Sequence, residues 1–334
     1  MPIRDAVRTS LLSRKWRHRW TAVREIVFDK NFVEGAVELR ISNTESSTEI
    51  KKYEYCRVID RFLLVHAGPI YRFLLHVPTF GDPAQPIDIT QWILVVSQKG
   101  VKDLVIDASG SIDALRSYAF TVKLPSYLYR CTELKHLKLC ICELSPPPKS
   151  FAGFCNLVSL DLVDVCTRGH AITAFISQCP VLEELSLTLI PHRPVPAHPF
   201  PLSVCAPNLK TLRIRDSRFT TLSLKSCPKL VTLSLEGVLS LSNADENSSS
   251  LDEIFISSLK VEDVTLSNFA LIALAQYHIP RQLPMPLADH TRLTLLCVDT
   301  LSLKQVKCVF CILRSSPNLK TLNISVSDHD WFHI

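Results

Sequence analysis

"LKHLKLCICEL", residues 134–144, reads as one period of a repeat. Leu134, Leu137 and Leu139 spell L-x-x-L-x-L, and Cys142 with Leu144 extends the pattern to L-x-x-L-x-L-x-x-C-x-L. In a strand, alternate side chains face opposite ways, so Leu137 and Leu139 enter one core while Lys138 points outward. One such strand cannot bury its apolar edge alone; a stack of them can.

The shorter pattern recurs along the chain. It appears as Val23-Ile26-Phe28, Ile70-Phe73-Leu75, Val101-Leu104-Ile106 and Leu157-Leu160-Leu162. It returns as Leu182-Leu185-Leu187, Leu209-Leu212-Ile214, Leu230-Leu233-Leu235, Val261-Val264-Leu266, Leu293-Leu296-Val298 and Leu319-Leu322-Ile324. Within 134–235 the spacings are 23, 25, 27 and 21 residues, inside the roughly 20–29 of leucine-rich repeats. Elsewhere they stretch to 26–33, and once to 47.

Between strands the chain must return so that the next strand lies parallel beside the last. Ile89, Trp92, Ile93 and Val96 fall at i, i+3, i+4, i+7 and predict a helix; so do Ile172, Phe175, Ile176 and Cys179, then Val306, Val309, Phe310 and Leu313. Gly100 is placed to end the first helix, and Ser302 with Gln305 reads as a capping box for the third. Proline at 180, 207, 228 and 317 stops the return just before a strand. Phe219-Leu222-Leu224 also fits the strand template but follows Leu209 too closely for a full turn, so it belongs on the outer side of a repeat. "PHRPVPAHPFP" (191–201) and "NADENSSS" (243–250) read as surface loops. The fold expected is an α/β solenoid with a parallel β-sheet on its concave face and helical or irregular returns outside. Residues 25–334 form it, irregular over 25–133, more regular over 134–240 and irregular again over 241–334.

Composition agrees. A chain of 334 residues, 47% hydrophobic, can bury a large core, and 21% charged residues with eight glycines argue against disorder or a fibre. No apolar run approaches the ~18 residues of a membrane span, and the N-terminus is too charged for a signal peptide. Twelve cysteines in such a chain read as free thiols of a reducing compartment, so cytoplasm and/or nucleus is the expected location, with no membrane partner.

The net charge of +5 is not spread evenly. Arg4, Arg8, Arg14, Lys15, Arg17, Arg19 and Arg24 face only Asp5 within residues 1–24, so that stretch carries +6 and the remainder −1. A nucleic-acid-binding protein usually lays a basic stripe across its fold; here the body is neutral. One helix of +6 gives weak, salt-sensitive phosphate binding and no base readout.

That basic stretch, "RDAVRTSLLSRKWRHRWTAV" (4–23), resembles the second half of an F-box, with D-A-x-R-x-S-x-L-S-x-x-W and a second Trp. "KGVKDLVID", "KLPSYLYRCTELKHLKL", "FCNLVSLDLVDV", "CPVLEELSL" and "APNLKTLRI" resemble the plant F-box/FBD/LRR-repeat proteins, and the likeness covers nearly the whole chain. It implies a substrate-recognition subunit of an SCF-type E3 ubiquitin ligase: the F-box binds the Skp adaptor, and through it the cullin, while the repeats hold an unknown protein substrate. Residues 1–24 would then be a partial F-box whose adaptor-binding residues are Val7, Leu11, Leu12, Trp16, Arg17 and Trp20. The L-P pair and first apolar helix of an F-box do not precede Met1, and an FBD segment would be expected after "LRSSPNLKTLNI". The alternative expectation is therefore a repeat scaffold that has lost the adaptor.

Chemistry of the chain's own is not expected. G-x-S-x-G, G-x-G-x-x-G, Walker A and H-E-x-x-H are all missing from the sequence. Cys308-x-x-Cys311 lies mid-helix with no second pair to complete a zinc site, and reads as buried thiols. Cys131, Cys155, Cys179, Cys205 and Cys227 recur with the repeat, and read as small hydrophobes at an equivalent core position. No catalytic residue, cofactor or metal is expected. The candidate partner-binding surface is the outward row of the sheet: Lys138, Asp161, Ser186, Arg213, Arg215, Ser234 and Glu236.

Overall fold

The computed structural model describes residues 19–38, 48–80, 86–110, 121–166, 171–188, 200–215, 219–224, 226–236, 260–275 and 279–326. Residue contacts divide the chain into two compact units, residues 1–168 with 192–194, and residues 169–191 with 195–334. The first unit runs through a 3-10 turn Arg19–Ala22, β1 (Glu25–Phe28), α1 (Lys30–Glu38), α2 (Thr48–Val65), β2 (Arg72–His76), α3 (Thr90–Ser97) and β3 (Asp103–Asp107). It continues with β4 (Val122–Lys123), a 3-10 turn Ser126–Arg130, β5 (His136–Cys140), β6 (Cys142–Glu143) and β7 (Ser159–Val163). The second unit holds α4 (Ala171–Ser177), β8 (Glu184–Thr188), β9 (Phe200–Ser203), β10 (Thr211–Arg215), β11 (Phe219–Ser223) and β12 (Thr232–Glu236). Then come β13 (Asp263–Ser267), α5 (Asn268–Leu274), β14 (Arg292–Val298), α6 (Leu303–Ser315) and β15 (Thr321–Val326).

In the first unit β1, β2, β3, β5 and β7 pair in that order, every pair parallel, with Ile26, Phe73, Leu104, Leu137 and Leu160 in one register row. In the second unit β8, β10, β12, β13, β14 and β15 do the same, aligning Leu185, Leu212, Leu233, Val264, Leu293 and Leu322. Strand, return and parallel strand, in register at the motif's second and third apolar positions, is the leucine-rich-repeat solenoid. The motif leucines are its core; Leu137, Leu139, Leu160, Leu162, Leu185 and Leu187 are all buried.

The first Leu of the motif closes a tight turn. The N–H of Leu134, Leu157, Leu182, Leu209, Leu230 and Leu319 each donates to the carbonyl three residues back. Those residues, Cys131, Phe154, Cys179, Ala206, Cys227 and Ser316, are all buried. The regular spacing of cysteines therefore reports a core position at Cys131, Cys179 and Cys227 alone. Cys155 is exposed and Cys205 half-buried, because each lies one residue away from the position that Phe154 and Ala206 fill.

The period expected as Leu293-Leu296-Val298 is displaced by three residues. Leu293 pairs with Val264 and Leu322, and Leu295 with Leu266 and Ile324, so they hold the second and third positions. His290 holds the first, and its N–H makes the same turn, to the carbonyl of Leu287. A histidine replaces leucine there because both ring nitrogens find partners: Nε2 donates to the Arg292 carbonyl at 3.0 Å, and Nδ1 lies 2.8 Å from the Ser316 hydroxyl. Burial lowers its pKa.

Three of the strands share one device near their C-terminal ends. Ile141, Asp164 and Cys297 have φ of 55°, 50° and 54°, and each stands two residues after the last core residue, Leu139, Leu162 or Leu295. Cys297 makes a bulge inside β14, beyond which Val298 still pairs with Val326. After β5 and β7 this left-handed residue turns the chain out of the sheet. Beyond it, in the first unit, β6 pairs with β4 and Glu143 with Cys166, a second short parallel ladder beside the main sheet. In the second unit β9 and β11 form the corresponding two-stranded ladder, which takes Phe219-Leu222 off the main sheet as expected.

The returns at α3, α4 and α6 are helical as the periodicity predicts. Only half of the capping box forms on α6. The Ser302 hydroxyl accepts from the Gln305 N–H, but the Gln305 side chain accepts from the Asp299 N–H and donates to Asn268 instead. Cys308 and Cys311 are buried free thiols, and burial pushes the Cys308 pKa up to about 12. Among the described residues no cluster of His, Cys, Asp and Glu could hold a metal ion, and no helix is long and apolar enough to cross a membrane.

Candidate partner-binding face

Alternation along the strands leaves one face of each sheet carrying the residues between the motif leucines. In the first unit the central row is Val27, Leu74, Val105, Lys138 and Asp161, in register across β1, β2, β3, β5 and β7. Its first three members are half-buried apolar side chains, a strip the outward row read from the sequence does not include. In the second unit the row is Ser186, Arg213, Ser234, Thr265, Thr294 and Asn323. That face is built mainly of hydroxyls.

Most charges on these faces are already matched by a neighbour. Lys138 Nζ lies 2.8 Å from Asp161 Oδ2 on the next strand, and this hydrogen bond raises the pKa of the ammonium group. Arg72 and Asp103 stand 3.4 Å apart, Arg215 and Glu236 3.3 Å, and Arg292 pairs with Asp263. Such pairs are half in water and individually worth about 0–1 kcal/mol. Their effect is on pattern: they neutralise the face locally and hold long side chains in place.

At the ends of β2 and β3, His76 Nδ1 lies 3.3 Å from Asp107 Oδ2. Asp107 also accepts from the Ser109 N–H at 2.9 Å and from the Ser109 hydroxyl. Burial alone would raise this carboxyl's pKa, but the hydrogen bonds from His76 and Ser109 outweigh it and hold it at about 2. The Tyr55 hydroxyl of α2 donates to the His76 carbonyl, tying the helix beneath to the rim of the face.

Of the residues expected to form the partner surface, Lys138, Arg213 and Arg215 are exposed, and Asp161, Ser186 and Glu236 half-buried. Ser234 faces the same way by register but is only 6% exposed, its hydroxyl donating to Glu236 at 2.6 Å. The pairings Lys138–Asp161, Arg215–Glu236 and Asp263–Arg292 join residues 23, 21 and 29 apart in sequence. Each separation is one repeat, and opposite charges at that separation are the signal from which the pairs could have been read.

Val7, Leu11, Leu12, Trp16 and Arg17, the residues expected to meet an adaptor, lie outside the described residues. Trp20 lies inside them. It is half-buried, its ring 5.3 Å from that of Phe62 on α2. The Ala67 N–H donates to the Thr21 carbonyl at 2.8 Å, and His66 Nε2 donates to the Val23 carbonyl at 2.8 Å. A Cβ on Gly68 would come within 3.1 Å of the Ala22 backbone, so any side chain there would have to push the two crossing segments apart by a few tenths of an ångström. The end of the basic stretch is thus fastened to the first repeat.

Comparison with known proteins extends the reading. Residues 89–324 match the family model described as "FBD-associated F-box protein At5g56370, LRR repeats". The chain is 31% identical over 331 residues to F-box/FBD/LRR-repeat protein At1g13570 of Arabidopsis thaliana, covering 98% of this chain and 72% of that protein. F-box/LRR-repeat protein 13 and F-box/FBD/LRR-repeat protein At1g78750 of the same plant are 24% and 27% identical, over 98% of this chain and 74% of each relative.

Proposed function

Because the chain belongs to the F-box/FBD/LRR-repeat protein family, and so to proteins built for interaction, we propose that it is the substrate-recognition subunit of an SCF-type ubiquitin ligase. In this reading the sheet faces of the repeats hold a protein target. The basic N-terminal stretch engages the Skp adaptor, which links to the cullin. The observation that supports it best is the fastening of Trp20, Thr21 and Val23 onto Phe62, Ala67 and His66. A receptor must hold its target at a set distance from the ligase, and a segment hydrogen-bonded and packed onto the first repeat transmits position where a loose linker would not.

The test is a pull-down of purified Skp adaptor at about 0.15 M salt. Three chains are compared: the 334 residues, the same chain with an F-box first helix fused before residue 1, and that fusion with Leu12→Asp. Capture by the fusion and loss with Leu12→Asp is the expected result. No capture by either the chain or the fusion would refute the receptor reading and leave an interaction scaffold.

A further inference from the structure

The main-sheet strands of the two units carry five Lys or Arg residues: Arg72, Lys138, Arg213, Arg215 and Arg292. Four of them form an ion pair with a carboxylate on an adjacent strand. Arg213 does not. Its register neighbours on β8 and β12 are Ser186 and Ser234, and it is exposed. Glu236 is already held by Arg215 and by the Ser234 hydroxyl. Glu184, on β8, stands in register with Thr211 and keeps interactions of its own.

We infer that the sheet face of the second unit recognises its target through a single carboxylate, an Asp or Glu side chain of an extended peptide segment, seated on Arg213 with Ser186 beside it. The inference rests on the reading of this face as partner-binding, though not on the adaptor. A guanidinium presents a planar fork that takes a carboxylate through two parallel hydrogen bonds. The adjacent strand, about 4.8 Å away, places the Ser186 hydroxyl where it can donate to the same group. The hydroxyl-rich surroundings leave no fixed negative charge in the row to oppose it. Phosphate fits less well: it carries nearly two charges, and the second nearby cation, Arg215, is committed to Glu236. One open guanidinium matches one carboxylate.

The experiment is selection of a random dodecapeptide phage library on the purified chain, on Arg213→Ala, on Arg213→Glu and on Ser186→Ala. Melting temperatures show that each variant is folded, which the exposure of Arg213 makes the expected outcome. The wild-type chain should enrich peptides with Asp or Glu at one fixed position. Such peptides should bind Arg213→Ala about tenfold or more weakly, the loss of a charge-assisted hydrogen bond, and Ser186→Ala more weakly by a smaller factor. Arg213→Glu should enrich Lys or Arg at that position.

The same acidic preference in all four chains, or none in the wild type, would overturn the inference. So would a phosphoserine version binding tenfold better than the Glu version, which would make phosphate the group read. Adaptor capture plays no part in the readout, so a failed pull-down and a failed selection are separate results.

Discussion

Leu160 and Leu322 occupy the same motif position in register-matched strands, yet one is 1% exposed and the other 43%. Leu160 on β7 belongs to a filled core. On β15 the side chains of Leu322 and Ile324, core residues in every other period, stand open. Truncating each to Ala therefore measures what the neighbouring repeat contributes. For Leu160 the removed atoms were fully out of water and leave a cavity, so the cost is about 2–5 kcal/mol. For Leu322 nearly half of the side chain is already hydrated and no closed cavity forms, which brings the cost to roughly 1 kcal/mol. Asp161→Ala, beside Leu160 but on the solvent side and paired only with half-exposed Lys138, should change stability by no more than about 1 kcal/mol. Urea melts followed by circular dichroism give the three values. Because repeat arrays can unfold in stages, amide exchange at the β7 and β15 strands checks that each loss is read where it occurs. Equal losses at Leu160 and Leu322, or at Leu160 and Asp161, would show that the strand phase or the nearest-neighbour account is wrong.

Two further outcomes are expected. The pKa of Asp107 is lowered in the folded chain to about 2, so its hydrogen bonds stabilise the fold above the ordinary carboxylate range. That contribution, about 2 kcal/mol at most, is lost as pH falls through about 2; urea midpoints at pH 5 and pH 2.5 should differ less in Asp107→Asn than in the native chain, and an unchanged difference would remove Asp107 from the account. At the bulge residue Cys297, with φ of 54° and an exposed side chain, Cys297→Gly relieves left-handed strain without emptying a core. It should stabilise by about 0.5–1 kcal/mol and Cys297→Val should destabilise, as melting temperatures will show; the opposite order would mean that the bulge stores no strain.

The strands could be read from the sequence because alternation needs only local information. Leu137 with Leu139 and Leu160 with Leu162 declare their phase within five residues. The phase of β14 could not be read that way, since His290 stands where a leucine is expected while Leu296 and Val298 offer an apolar substitute. Only the pairing with Val264 and Leu322 decides between them. α2 did carry a signal: Tyr55, Ile59 and Phe62, all buried, fall at i, i+4 and i+7, within the one gap of 47 residues between periods. On the binding face, which residues point outward was legible; which of them are spent on each other was not, because a cross-strand pair joins positions a whole repeat apart.

The corners at Ile141 and Asp164 have a wider consequence. At both corners the chain leaves the sheet at the same station, and most periods re-enter at a turn closed by an N–H to a carbonyl three residues back. Whatever lies between exit and re-entry can lengthen or shorten without displacing a strand, so variable intervals coexist with a fixed register. A lineage that copies and recombines such genes can rebuild the back of any period, or exchange whole periods, while the front keeps its grid. New specificities then arise by single substitutions at known coordinates of that grid, with no need to refold the molecule that presents them.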